Sequence, residues 1–536
     1  MKLTFYGADK EVTGSCHCLT VNGLHILIDC GLQQGADETD NRRLPFCPNL
    51  IDYVLVTHAH IDHTGRLPLL AKQGFQGKIL ATEKTAYLMD IMLRDSAHIQ
   101  EMDAEQALRK GRRAGKKPKG PLYTIEDAEA AIKQITSCGY NEKISLCEGV
   151  QVRFQDAGHL LGSASVEIWA TENGVTKKLV FSGDIGNKNQ PIIRDPQYVH
   201  EADYVVMEST YGDREHEKTE DYAGTFAKII DRTLSDGGNV IIPSFAVGRT
   251  QELLYFFREI KERCLTPNHP NFPVYVDSPL AAEATAIYSG NLQGYADRET
   301  VSLIDHGFEP LQFSNLHITE SVEESKALNE DGVPKVIISS SGMCEAGRIR
   351  HHLKHNLWRP ECAIVFVGYQ AGGTLGRILL DGVNSVKLFG EQIAVKAHIY
   401  NFRAMSGHAD HTGLLEWISA FPKSLQKVFV VHGERTCCET FTAELCANGF
   451  DAYAPDFSAV YDLLEDRVEA AGIPPEKLHP ARVQGYPAGK VSSAFLRLLQ
   501  AQKRLEQVVQ HNEGGANKDL GKFADQILAL CKKWDR

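Results

Sequence analysis

Three histidines and an aspartate fall within six consecutive positions, His58-Ala-His60-Ile-Asp62-His63, directly behind the apolar run Val54-Leu-Val. A folding core has no use for that set, but a pair of metal ions does. Imidazole nitrogen and carboxylate oxygen are donors that zinc accepts. In an extended or tightly turning segment His58 and His60 point to one side and can grip one ion together. Asp62 and His63 lie just beyond, where the chain turns, and can reach a second. A structural zinc site is closed by four ligands, usually with thiolates among them, and no CxxC pair occurs in the sequence. A site of histidines and carboxylates leaves coordination positions for water, which points to catalysis.

The same logic recurs along the chain. The apolar run His25-Ile-Leu-Ile ends in Asp29-Cys-Gly31. The β-like Val150–Phe154 is followed by Asp-Ala-Gly-His159-Leu-Leu-Gly-Ser163, and Lys-Leu-Val-Phe by Ser-Gly183-Asp184-Ile-Gly186. Lys427-Val-Phe-Val-Val ends in His432-Gly-Glu434. Each of these apolar, strand-like runs delivers a ligand type at its C-terminal end, which is how a rigid scaffold presents a site.

The set HxHxDH, AGHLLGSA, SGDIG and VHGE resembles the metallo-β-lactamase superfamily. Glu208-Ser-Thr-Tyr-Gly212, Pro243-Ser-Phe-Ala-Val-Gly-Arg249, Ser341-Gly-Met343, Gly368-Tyr-Gln-Ala-Gly-Gly-Thr-Leu-Gly-Arg377 and Ser406-Gly-His408-Ala resemble its β-CASP branch. That branch holds nucleases, among them the bacterial and archaeal relatives of the mRNA cleavage-and-polyadenylation endonuclease. The resemblance covers roughly residues 1–455. It implies that one zinc takes His58, His60 and His159, that the other takes Asp62, His63 and His432, and that Asp184 bridges them opposite a hydroxide. Asp29 then sits beneath as the acceptor that orients a ligand imidazole. Two ions about 3.5–4 Å apart suit an in-line displacement at phosphorus.

By the same resemblance His408 is the candidate general acid. Glu208 would hold its imidazole and raise its basicity, and Asp184 and Asp62 count with them among the catalytic residues. Histidine at the position of His432 goes with RNA substrates in the family. The expected activity is a zinc-dependent ribonuclease that leaves a 5′-phosphate and a 3′-hydroxyl, cutting internally, from the 5′ end, or both. A DNA-directed nuclease of the same fold is the nearest alternative. A small-molecule hydrolase of thioesters or lactones needs neither Glu208 nor His408. A silent RNA-binding scaffold would show replaced ligands, and here every ligand position is filled.

The chain has 536 residues, 24% charged and 43% hydrophobic, ordinary for a soluble globular protein of two or three domains. An N-terminus without an export signal, no run approaching a membrane span and thirteen cysteines without framework spacing fit the cytoplasm. A net charge of −12 counts mildly against nucleic acid, but phosphate attraction is local. The one dense basic run, Arg109 to Lys119, reads as a solvated loop or as an arm touching RNA, with Gly111, Gly115 and Pro118 against a firm helix.

The fold expected is α/β: a metallo-β-lactamase αββα sandwich with an inserted β-CASP α/β domain. Residues 1–208 form the first part of the sandwich, with a long helix over Lys84–Gln106. Residues 209–390 alternate helices and strands, which predicts a parallel sheet flanked by helices. Residues 391–455 return to the sandwich carrying His408 and His432, so the site lies between the domains. Glycine-rich strand-to-helix turns near Ser341 and Thr374, with Arg249 and Arg377, are candidate contacts for the RNA backbone. Residues 456–536 read as a helical extension, with helices over Val491–Gln510 and Leu520–Trp534. A cap on the core is the preferred role, and a homodimer contact or docking element the other.

Overall fold

The computed structural model describes residues 1–34, 41–113, 120–217, 221–370, 373–402, 405–474, 505, 508–509 and 517–534. It divides into two compact units, Met1–Val483 and Gln484–Arg536. Three large sheets and a two-stranded hairpin, Ser385–Leu388 with Glu391–Ala394, build the first. An eight-stranded sheet has the spatial order Arg467–Ala470, Val460–Asp462, Lys2–Phe5, His17–Val21, Leu24–Ile28, Tyr53–Leu55, Lys78–Thr82, Ile135–Cys138. A seven-stranded sheet runs Ala452–Tyr453, Lys427–Val431, Tyr204–Glu208, Val175–Phe181, Ala164–Glu172, Val150–Asp156, Ile144–Cys147.

Side-chain alternation explains how these two sheets stack. Along Val150–Asp156 the residues Val150, Val152 and Phe154 are buried while Gln151 is exposed. They join Leu3, Phe5, Ile26, Ile28 and Phe429 in one core between the sheets. Helices cover the outer faces. Trp417 and Phe441, from helices His411–Ser419 and Arg435–Ala447, pack on Val205, Val428 and Val430. Leu88, Met89 and Leu93 of the long helix cover the other sheet. This is the αββα sandwich.

The third sheet has six strands, all parallel, in the order Leu316–Ile318, Val274–Asp277, Val336–Ser339, Val240–Pro243, Ala363–Phe366, His398–Asn401. Its central strands are buried at every position, as strands with both faces covered must be. Helices Tyr222–Ser235, Arg249–Glu262 and Pro279–Tyr288 pack on one face and Ile349–Asn356 on the other.

Three details depart from expectation. The long helix spans Glu83–Arg113 and runs through Gly111. Glu105–Arg109 and Gln106–Lys110 contacts one turn apart support its end; residues 114–119 of the basic run lie outside the described residues. The strand His398–Asn401, expected in the returning part, is hydrogen-bonded into the parallel sheet. The segment expected to begin a helical extension forms strands instead, Val460–Asp462 pairing antiparallel with Lys2–Phe5 and with Arg467–Ala470. An edge strand with free backbone groups takes a partner, and that pairing is invisible to local periodicity.

Most of Val491–Gln510 lies outside the described residues. In the second unit Asn517–Trp534 is helical. No helix among the described residues is long and apolar enough to cross a membrane. The cysteines among them are all free.

Candidate metal centre

Every expected ligand follows the C-terminal end of a strand. His58 comes three residues after Tyr53–Leu55, His159 after Val150–Asp156 and Asp184 after Val175–Phe181, while His432 comes directly after Lys427–Val431. Neighbouring strands point the same way here, so their loops converge. Glycine makes the convergence tight. A Cβ on Gly31 would stand 1.5 Å from the Asp62 carbonyl oxygen, and one on Gly186 1.7 Å from that of Gly158.

Two donor groups result. His58 Nε2 lies 3.0 Å from His60 Nδ1 and 3.4 Å from Asp184 Oδ2; His159 Nε2 lies 3.2 Å from His60 Nδ1 and 3.5 Å from the same carboxylate oxygen. In the second group His63 Nε2 lies 3.1 Å from His432 Nε2 and 3.2 Å from Asp184 Oδ1. His432 Nε2 stands 3.6 Å from Asp62 Oδ2 and 3.6 Å from Asp184 Oδ1. Donors around a tetrahedral ion with bonds of about 2.0–2.1 Å stand about 3.3 Å apart. The spacing therefore fits an ion in each group. Asp184 offers one oxygen to each, and its Oδ1 is buried with no hydrogen-bond partner among the described residues. A buried acceptor left unsatisfied costs stability, which a cation removes.

The far nitrogens of four of the five imidazoles are anchored, which fixes ring orientation. His63 Nδ1 meets Asp29 Oδ2 at 2.7 Å, and Asp29 also accepts the Thr57 N–H at 2.8 Å and its hydroxyl at 2.9 Å. His58 Nδ1 meets Thr57 Oγ1 at 3.1 Å, His159 Nδ1 the Gly407 carbonyl at 3.1 Å, and His432 Nδ1 Thr210 Oγ1 at 3.1 Å.

Protonation follows the same layout. Burial, aided by neighbouring imidazoles, lowers His58, takes His60 to about 3 and holds His159 well below the ordinary value, so their lone pairs are free. At His63 burial also opposes charge, but the Asp184 and Asp29 carboxylates raise it well above its usual value. Burial and the nearby His63 ring pull His432 down, but the Asp184 and Asp62 carboxylates outweigh them for a net rise. Burial opposes ionisation of Asp184, yet the surrounding imidazoles hold it well below the carboxylate range. Protons drawn to His63 and His432 by carboxylates are those a divalent ion would displace.

His408 stands at the rim, its ring 4.5 Å from that of His159 and its Nε2 3.8 Å from Asp184 Oδ2. Its Nδ1 meets both Glu208 oxygens, at 3.0 and 3.1 Å. Burial pulls the imidazole down, but the Glu208 and Asp184 carboxylates outweigh that and push it up to about 9. Glu208 is fully buried and fixed in turn by the Ile185 N–H at 2.6 Å.

Sequence reading missed several supports. Thr57, Thr210 and Gly407 lie inside motifs visible in the sequence, though nothing local assigns them these partners, and nothing local marks His216, whose Nε2 meets the His408 carbonyl at 2.9 Å. The expected RNA contacts lie at the C-terminal edge of the parallel sheet with intramolecular roles. Ser341 bonds Ala346, Thr374 caps the helix Leu375–Leu380, Arg249 pairs with Glu252 and Arg377 with Asp381. That edge meets the loop that carries His432, where the Tyr369 hydroxyl donates to Glu434 at 3.1 Å.

Comparison with known proteins agrees with this geometry. Residues 10–210 match the model of the metallo-beta-lactamase superfamily, residues 250–379 the Beta-Casp domain, and residues 392–455 the Zn-dependent metallo-hydrolase RNA specificity domain. Ribonuclease TTHA0252 of Thermus thermophilus is 38% identical over 81% of the chain and 93% of its own length. An RNase J-like protein of Methanocaldococcus jannaschii is 30% identical over 81% of the chain and 92% of its own length. The transcription termination factor FttA of Methanosarcina mazei is 30% identical over 82% of the chain and 68% of its own length.

Proposed function

Because the chain belongs to the β-CASP ribonuclease family of the metallo-β-lactamase superfamily, we propose that it hydrolyses RNA phosphodiester bonds with two zinc ions, leaving a 5′-phosphate and a 3′-hydroxyl. The observation that carries this reading is the pair of donor groups on either side of Asp184, beside the Glu208–His408 pair. Five imidazoles with carboxylates and no thiolate suit zinc, with positions left for water. When bound, such ions supply Lewis acidity toward water and toward phosphate oxygens.

The protein's own residues do the rest. Asp62 and Asp184 bring the negative charge that would hold the ions. Asp29, Thr57, Thr210 and the Gly407 carbonyl hold the ligand rings before substrate arrives, so little reorganisation remains. His408 has Nδ1 committed to Glu208, which leaves Nε2–H facing the centre, where it can donate to the leaving oxygen. Glu208 is a positioning residue and His408 the catalytic one. The names of the bacterial and archaeal relatives and of the matched RNA specificity domain favour RNA over DNA.

In this reading residues 1–208 and 391–455 make the metallo-β-lactamase part, 209–390 the insert and 456–536 the extension, with His398–Asn401 contributed to the insert's sheet and Val460–Ala470 to the first sheet. The test is hydrolysis of matched, internally labelled and 5′-labelled RNA and DNA oligonucleotides, with chelator and with zinc restored. RNA cleavage that zinc restores, with phosphate on the downstream 5′ end, is expected. Equal cleavage of DNA, or 3′-phosphate products, would overturn it.

A further inference from the structure

The strands Ser385–Leu388 and Glu391–Ala394 form a hairpin in which Leu388 pairs with Glu391, leaving Phe389-Gly390 as a two-residue turn. Both turn residues have positive φ, 50° at Phe389 and 88° at Gly390. A turn of this kind favours Asn-Gly, because a bulky side chain is strained in the left-handed region. Here the first position holds phenylalanine, a residue 49% exposed. Turn chemistry and burial both argue against that residue, so packing alone does not account for it.

The ring is not isolated. The His351 imidazole stacks on it at 4.3 Å and 23°, and the Arg350 guanidinium carbon lies 5.2 Å from its centre. Arg350 makes no ion pair among the described residues; its Nη1 donates to the Glu345 carbonyl and its Nε is buried without a partner there. Lys387 is exposed on the same hairpin, and His355 on the same helix. Nearby Lys354 is neutralised by Glu391. The patch is an aromatic ring with the Arg350 guanidinium beside it and Lys387 on the same hairpin, on a chain whose net charge is −12.

Its place matters. Arg350 and His351 open the helix Ile349–Asn356, which starts just past the loop after Val336–Ser339. That is the C-terminal edge of the parallel sheet, the edge whose Tyr369 reaches Glu434 beside the metal centre. The platform therefore shares an edge with the cleft yet contributes nothing to either donor group.

The geometry points to a second RNA-binding surface, in which Phe389 stacks a base of the single strand leading to or from the centre while Arg350 and Lys387 meet its phosphates. It rests on the ribonuclease reading. An exposed ring takes any base on its face, and cations beside it track the backbone, the combination that holds single strands without sequence preference.

The test measures binding of 2′-O-methylated oligoribonucleotides of about 4 and about 20 nucleotides, spanning the range of such sites, to the full chain. Phe389→Asn places a residue that suits the left-handed turn, so the hairpin is kept while the ring is lost. Expected are a rise in Kd for the long strand of about 10- to 100-fold, no change for the short one, an unchanged or higher Tm, and recovery with Phe389→Trp. Arg350→Gln weakens the long strand and flattens its salt dependence. Unchanged long-strand binding in Phe389→Asn, or equal loss for both lengths, overturns the proposal, as does a change in sedimenting mass alone, which would mark a contact with a second copy. If the wild-type protein cleaves neither length of unmodified RNA, the ribonuclease reading fails separately.

Discussion

Replacing Asp29 by asparagine isolates the device that orients the second donor group. The carboxylate is 1% exposed and accepts four hydrogen bonds, from the Thr57 N–H, the Thr57 hydroxyl, His63 Nδ1 and, at 3.5 Å, the Ser15 hydroxyl. Asparagine keeps the shape but turns one oxygen into a donor. With the amide nitrogen toward Thr57 N–H, two donors face each other. With it toward His63, the imidazole must accept at Nδ1 and carry its proton on Nε2, the atom 3.1 Å from His432 Nε2 and 3.2 Å from Asp184 Oδ1. That proton occupies the lone pair the ion needs. Losing such a partner typically weakens a metal site 10- to 100-fold, about 1.4–2.7 kcal/mol. The loss falls on the group of Asp62, His63 and His432. The other group keeps the Gly407 anchor of His159 and changes less. Equilibrium dialysis against zinc buffered by a competing chelator, with metal counted by mass spectrometry, resolves the two affinities. Two zinc equivalents bound by folded Asp29→Asn with wild-type affinity, or an equal drop at both groups, would refute the reasoning.

Asp184→Ala should abolish RNA cleavage and lower bound zinc below one equivalent, since both groups lose an oxygen; full occupancy by elemental analysis would contradict a shared ligand. His408→Ala should retain zinc and slow single-turnover cleavage by about 10²–10⁴-fold, with Glu208→Gln intermediate; an unchanged rate would remove His408 from the chemistry. Far from the centre, burial opposes ionisation of Asp277, but bonds from His352, Ser325, Thr319 and Arg348 outweigh it and hold the carboxyl below its ordinary range. A depressed acid stabilises the fold above its unfolded pKa of about 4 and loses that contribution as pH falls through and below it. Asp277→Asn should therefore cost about 3–5 kcal/mol at neutral pH and flatten the fall of Tm below about pH 4; parallel wild-type and variant curves would refute the pairing. Changing Arg109, Lys110 and Arg112 to Gln should reduce the salt dependence of RNA binding; an identical slope would make that stretch of helix a solvated face.

The sequence by itself determined the donor types and their strand-end positions, because strand alternation and the residue that ends a run are local properties. It also determined the alternating pattern that becomes the parallel sheet, since a strand buried on both faces must be continuously apolar. What the tertiary structure decided is how those donors divide. Asp184 serves both groups only because the loops after four strands converge, and His63 meets His432 across 369 positions of chain. The anchors were equally hidden: a threonine, a backbone carbonyl and a histidine acquire their roles from partners about 200 residues away or more. The joining of Val460–Asp462 to Lys2–Phe5 has the same origin. Periodicity reports which face of an element is buried, but the partner on that face is chosen by packing and hydrogen-bond satisfaction over the whole chain, which no local window contains.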